Sequence, residues 1–103
     1  MAFNGTEGDP ITLTVGGTMT ARFRSNYPTL TKGCFFGKDL LNQILNQYGC
    51  KGIRMYFAQD EYNVLQLVIV GANDLEDDMC DLVGDVSVLC PPRCGKKNVL
   101  NGL

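Results

Sequence analysis

Gly52-Ile53-Arg54-Met55-Tyr56-Phe57-Ala58, then Gln59-Asp60-Glu61-Tyr62-Asn63, then Val64-Leu65-Gln66-Leu67-Val68-Ile69-Val70, is the stretch that decides the fold. In the first run Ile53, Met55 and Phe57 alternate with Arg54 and Tyr56, the period of a strand with two unlike faces. The last run is apolar on both faces except at Gln66. A strand of that kind lies in the middle of its sheet, covered on both sides. The polar residues between them read as a five-residue turn. The whole reads as an antiparallel hairpin.

Just upstream, Leu40, Leu41, Ile44, Leu45 and Tyr48 fall on one face of a helix from about Gly37 to Tyr48. Asn42, Gln43, Asn46 and Gln47 cover the other face. Asp39 sits in the first turn, where the helix dipole favours negative charge. Gly49 stands where a helix-ending glycine belongs. Before this helix, Lys32 to Phe36 reads as a short strand or an extended approach.

Downstream, Asp74 reads as an N-cap, with Asp77 three residues on. Leu75, Met79, Leu82 and Val83 share a helical face, and Gly84 closes the element. A last strand, Val86 to Leu89, runs into Cys90-Pro91-Pro92-Arg93-Cys94.

Residues 11–25 support two readings. Ile11, Leu13 and Val15 alternate with threonines, Gly16-Gly17 fits a two-residue turn, and Met19, Ala21 and Phe23 alternate again. That is a hairpin pattern. The rival is a helix from about Gly17 to Ser25, with Met19 and Phe23 on one face. The glycines and threonines here weaken the helix, so pattern alone favours the hairpin.

The expected fold is therefore α+β, two or three helices on a small antiparallel sheet centred on residues 52–58 and 64–70. Residues 1–10 read as a flexible lead-in, 11–94 as a single domain and 95–103 as a C-terminal tail. One domain is what 103 residues can build.

Composition excludes several functions. There is no histidine, which removes Ser-His-Asp and Cys-His catalysis and every histidine metal site. Nine basic and eleven acidic residues give a net charge of −2. Arg93 with Lys96-Lys97 is the one local basic group, so the electrostatic footprint of a nucleic-acid binder is missing. No signal peptide is recognised, and the longest apolar stretch, Leu67 to Val70, is too short to insert in a membrane. The expected address is the cytoplasm, where Cys34, Cys50, Cys80, Cys90 and Cys94 would be reduced thiols.

The chemistry-bearing candidates are few. Cys90 and Cys94 form a C-x₃-C pair. With two of Cys34, Cys50 and Cys80 they would make a four-thiolate zinc site. The redox reading is weaker, because dithiol enzymes use C-x-x-C opening a helix and two prolines oppose that. The plain reading is a rigid exit from the last strand with small buried thiols. The acidic run Asp74, Glu76, Asp77, Asp78, Asp81 lacks the pattern of a calcium loop. Arg54 and Tyr56 share a strand face, with Asp60 and Glu61 just beyond, as an anion-binding or acid–base group would; a solvated hairpin face explains them as well. In the tail, Val99, Leu100 and Leu103 are apolar with nothing local to pack on, and they are the candidate interaction residues.

Four segments in order carry a resemblance: Phe35-Phe36-Gly37-Lys38-Asp39-Leu40-Leu41-Asn42-Gln43-Ile44-Leu45; Gly49-Cys50-Lys51-Gly52-Ile53-Arg54-Met55-Tyr56; Gln66-Leu67-Val68-Ile69-Val70-Gly71; and Cys90-Pro91-Pro92-Arg93-Cys94. Over residues 18–101 the chain resembles a family of short bacterial proteins. The resemblance implies a helix where Thr18 to Arg24 stands, and moves the reading of residues 17–25 toward the helix, with the hairpin as the alternative. It implies no activity, substrate or cofactor.

The functional expectation is a non-enzymatic structural or protein-interaction module that forms a homo-oligomer through a sheet edge or the tail, with no cofactor. The alternative is a thiolate zinc-binding domain. A small ligand binder or enzyme centred on Arg54 and Tyr56 stands third.

Overall fold

The computed structural model describes residues 2–102. The element order is α1 (Leu13–Asn26), β1 (Gly33–Phe35), α2 (Lys38–Leu45), β2 (Gly52–Gln59), β3 (Leu65–Ala72), β4 (Asp78–Gly84) and β5 (Val88–Cys90). Two antiparallel sheets result, a three-stranded one in the order β2-β3-β4 and a two-stranded one pairing β1 with β5. The fold is α+β. No helix among the described residues is long and apolar enough to cross a membrane.

The hairpin at the centre forms as its pattern requires. β2 and β3 pair without a slip from Gly52 opposite Ala72 to Gln59 opposite Leu65. The apolar β3 is the middle strand. Its turn is tighter than the polar run suggests. Asp60 N–H donates to Val64 O at 3.1 Å and Asn63 N–H to Asp60 O at 3.0 Å, which leaves a three-residue loop. Asn63 takes the left-handed position, φ 64°, that such loops demand. The Asp60 carboxylate accepts from the N–H groups of Tyr62 and Val64.

The same device overturns the helix expected over residues 74–83. Asn73 N–H donates to Asp77 O at 3.1 Å, and Glu76 N–H to Asn73 O at 3.0 Å. The Asn73 side-chain oxygen accepts from Leu75 and Asp77, both at 3.0 Å, and Glu76 holds φ 68°. So Asn73 closes a hairpin into β4, and Asp74 lies inside the loop rather than capping a helix. Leu75, the first residue of the supposed apolar stripe, is 73% exposed. Strand pairing won because β3 offers a second edge, and short Asn and Asp side chains mimic a backbone turn there.

Within this stretch stands one helix, Leu13–Asn26, longer than the 17–25 expected. The Thr12 hydroxyl caps it by accepting from Val15 N–H. Pro28 ends it, because the residue before a proline is driven to extended backbone, and Tyr27 is there at φ −135°. The hairpin pattern is set aside for a physical reason: Gly16 and Gly17 are buried inside the helix, not exposed in a turn.

The α2 helix lies against all three strands of the larger sheet. It ends at Leu45, so Tyr48 lies beyond it and is fully exposed. Gly49, at φ 84°, serves the turn into β2 instead of the helix end. Ile44 is fully buried and Leu40 half-buried. Both meet the sheet where it has no side chains. A Cβ on Gly71 would lie 3.3 Å from Ile44 Cγ2, and one on Gly84 would lie 2.8 Å from Leu40 Cδ2. Ile69 completes this small core.

Candidate functional site

The register divides the larger sheet into two faces. Ile53, Met55, Phe57, Leu65, Leu67, Ile69 and Gly71 share one; Arg54, Tyr56, Val68, Val70, Ala72 and Asp78 share the other.

On the second face Arg54 reaches across to Asp78. Its Nη1 lies 2.5 Å from Asp78 Oδ1 and also donates to Glu76 O at 3.1 Å. The Tyr56 hydroxyl donates to Asp78 Oδ2 at 2.5 Å. The Phe3 ring sits 5.4 Å from the Arg54 guanidinium, and Phe3 N–H is fixed to Asp74 O. This clamp crosses the face that carries Val70 and Ala72, each 3% exposed. The Tyr56 bond, then the Arg54 contact, hold the Asp78 carboxyl below its usual value. The same carboxylate raises the Tyr56 pKa. Sequence reading paired Arg54 and Tyr56 with Asp60 and Glu61. The partner is Asp78, and the Asp60 carboxylate is taken up by its own hairpin, whose Val64 N–H does most to lower its pKa. Both oxygens of Asp78 are already bonded, so the group is built as a strut across the sheet.

The five cysteines divide. Cys90 and Cys94 form a disulfide with Cα atoms 4.7 Å apart. Cys34, Cys50 and Cys80 are free thiols. The expectation of reduced thiols therefore does not hold for the C-x₃-C pair. Among the described residues no three Cys, Asp or Glu side chains converge as metal ligands, and that includes the acidic run at 74–81. The bridge closes the chain where β5 leaves its sheet; Lys32 N–H on the neighbouring strand approach donates to Cys90 O.

The tail docks on this chain's own helix. A Cβ on Gly17 would lie 2.8 Å from Val99 Cγ2, and one on Gly16 3.4 Å from Leu100 Cδ2. The two glycines form a notch, and Val99 and Leu100 fill it. Arg24 Nη1 donates to Leu100 O at 2.6 Å, and Lys32 Nζ to Asn101 O at 3.2 Å. Asn98 and Asn101 close the tail into a turn by mutual side-chain bonds. Val99 and Leu100 nonetheless stay 52% and 44% exposed. Leu103 lies outside the described residues.

What sequence reading missed is the open end of the first face. α2 covers Ile69, Gly71 and Gly84, but Met55 is 53% and Phe57 84% exposed. α1 stands off from this end and leaves a groove of about 300 Å³ lined by Met19, Phe23, Cys34, Phe57, Leu65 and Leu67. The cause is the shortness of α2, which the apolar stripe extending to Tyr48 did not show. An eight-residue helix is about 12 Å long, whereas an eight-residue strand runs about 26 Å.

The chain matches no family model, no curated protein and no solved structure.

Proposed function

We propose that the protein is a non-enzymatic structural module that works by self-association. One observation carries this reading, the amount of surface left uncovered. The chain exposes 7712 Å². A globular monomer of 11.3 kDa exposes about 5,700 Å². Its radius of gyration, 15.1 Å, also exceeds the roughly 13 Å of a compact chain this long. The surplus is about 2,000 Å² per chain, and much of it is apolar: Phe35, Met55, Phe57, Met19 and Val15 are all about half exposed or more. Stable interfaces cover about 800 Å² per partner, and permanent homodimers more. The surplus is thus of the size that a permanent assembly of identical chains removes.

The chemistry agrees. Arg54 and Tyr56 are engaged with Asp78, and Cys90 and Cys94 with each other. Native mass spectrometry on protein prepared without chelators tests the proposal. A discrete homo-oligomer at micromolar concentration is expected. A monomer up to hundreds of micromolar overturns it.

A further inference from the structure

The structure carries one edge built for pairing, and we infer that β2 meets β2 of a second copy about a twofold axis. The two three-stranded sheets then join into one of six strands. This deepens the self-association reading and rests on it.

Hydrogen-bond parity fixes which backbone groups of β2 face outward. In an antiparallel ladder alternate residues turn their N–H and C=O groups toward the partner strand, and the others turn theirs away. Asp60 N–H donates to Val64 O. The β2–β3 register is unbroken, so Ala58, Tyr56, Arg54 and Gly52 face β3. Ile53, Met55, Phe57 and Gln59 therefore point their backbone groups outward, along the free edge of the sheet. Thr31 corroborates the parity from β3's other side. Its hydroxyl donates to Leu65 O, one of the odd-numbered residues that face away from β2.

The two edges of this sheet differ in how they are guarded. Edge strands are protected by bulges, charges and proline. The outer strand β4 has such guards: its register breaks at Val70/Gly71, and it carries the exposed Asp81. β2 is eight residues long, regular, and free of proline and lysine. Its single charge, Arg54, is drawn back over its own sheet by Asp78. The N-terminal segment meets β2 at its start, with Gly5 beside Lys51 O and Phe3 over Arg54.

Side chains beside this edge are apolar and uncovered. Met55 and Phe57 stand on the open end of the sheet's first face. Antiparallel pairing of β2 with its copy sets these residues next to their counterparts on the same face. A self-complementary strand satisfies the requirement of a twofold interface, that one patch serve both sides. The uncovered surface of about 2,000 Å² per chain is enough for edge pairing together with this adjoining face.

Amide hydrogen exchange on the wild-type assembly tests the inference directly. The N–H groups of Met55 and Phe57 should be protected like those of β3, and should lose protection on dilution to monomer. Phe57→Lys, at an exposed side chain, should keep the far-ultraviolet dichroism spectrum and weaken dimerisation by about tenfold or more. Phe57→Pro, which deletes an outward donor only, should do the same. Fast exchange at Met55 and Phe57 in an assembly that persists overturns the edge and leaves self-association standing. A folded Phe57→Lys protein that dimerises like wild type does so as well. A wild-type protein that is monomeric throughout overturns both.

Discussion

Gly17 and Val99 lie near opposite ends of the chain, yet no methyl group fits between them. A Cβ on Gly17 would stand 2.8 Å from Val99 Cγ2, 2.9 Å from Val99 Cβ and 3.2 Å from its carbonyl oxygen. At Gly16 the nearest atoms, Leu100 Cδ2 and Ile11 Cδ1, would be at 3.4 and 3.5 Å, ordinary contact. Two adjacent glycines thus give opposite predictions. Gly16→Ala should stabilise by up to about 1 kcal/mol through helix propensity. Gly17→Ala gains the same propensity but overpacks the notch at about 1–3 kcal/mol, so its net effect is loss. Adding Val99→Gly, which removes both the Cγ2 and the Cβ that the new methyl meets, to Gly17→Ala should recover part of the loss. Urea midpoints of the four proteins decide it; equal effects at 16 and 17 would remove the notch.

This pair shows where the sequence was legible and where it was not. The central hairpin was read from alternation in β2 and the apolar run of β3, because both signals are local. α2 was read from its stripe. The glycines at 16 and 17 misled, since a residue costly to a helix is read as a turn unless the distant partner that needs its bareness is known. The helix expected at 74–83 failed for the opposite reason. Met79, Leu82 and Val83 keep a helical spacing, but the side chain of Asn73, one residue before the supposed cap, closes a hairpin loop. Asp78 was noticed only as one of several acids. Its pairing with Arg54 crosses a strand, and only the β2-β3-β4 order brings the two together.

The C-x₃-C bridge predicts a thiol count. Three cysteines are free and two are bridged. Protein denatured without reductant should react with three equivalents of Ellman's reagent, and after reduction with five. Five without reduction would restore the reduced-thiol expectation of a cytoplasmic address. The ring the bridge closes is small, so Cys90→Ser/Cys94→Ser should cost only about 2 kcal/mol by loop-closure entropy.

Val86 holds φ 60° with its side chain 93% exposed. A β-branched residue is strained there, by roughly 1–2 kcal/mol. Val86→Gly should raise the thermal midpoint although it removes a side chain, while Val86→Ala should gain much less. A loss of stability in Val86→Gly would show that the side chain has a contact worth more than the strain.

The last prediction is a two-sided pH profile. Three carboxyls are held below their ordinary value: Asp78 by the Tyr56 hydroxyl and Arg54, Asp60 chiefly by the Val64 N–H, and Glu7 chiefly by the Asn4 N–H. A depressed folded-state pKa means that the unfolded chain binds protons first as pH drops. The stability from these groups is complete above about pH 4 and is lost as pH falls through their folded values. Tyr56 is the reverse case: its pKa is raised, first by its bond to Asp78. Its contribution is complete below about pH 10 and is lost as pH rises through the raised folded value. Urea midpoints should therefore form a plateau between these limits and fall at both ends. Asp78→Asn takes away the charge behind both the Tyr56 shift and one of the acid shifts. It should flatten the alkaline fall and make the acid fall shallower without abolishing it, since Asp60 and Glu7 remain. An alkaline limb that survives Asp78→Asn unchanged would mean that another group titrates there and that the Tyr56–Asp78 bond is not part of the sheet's stability.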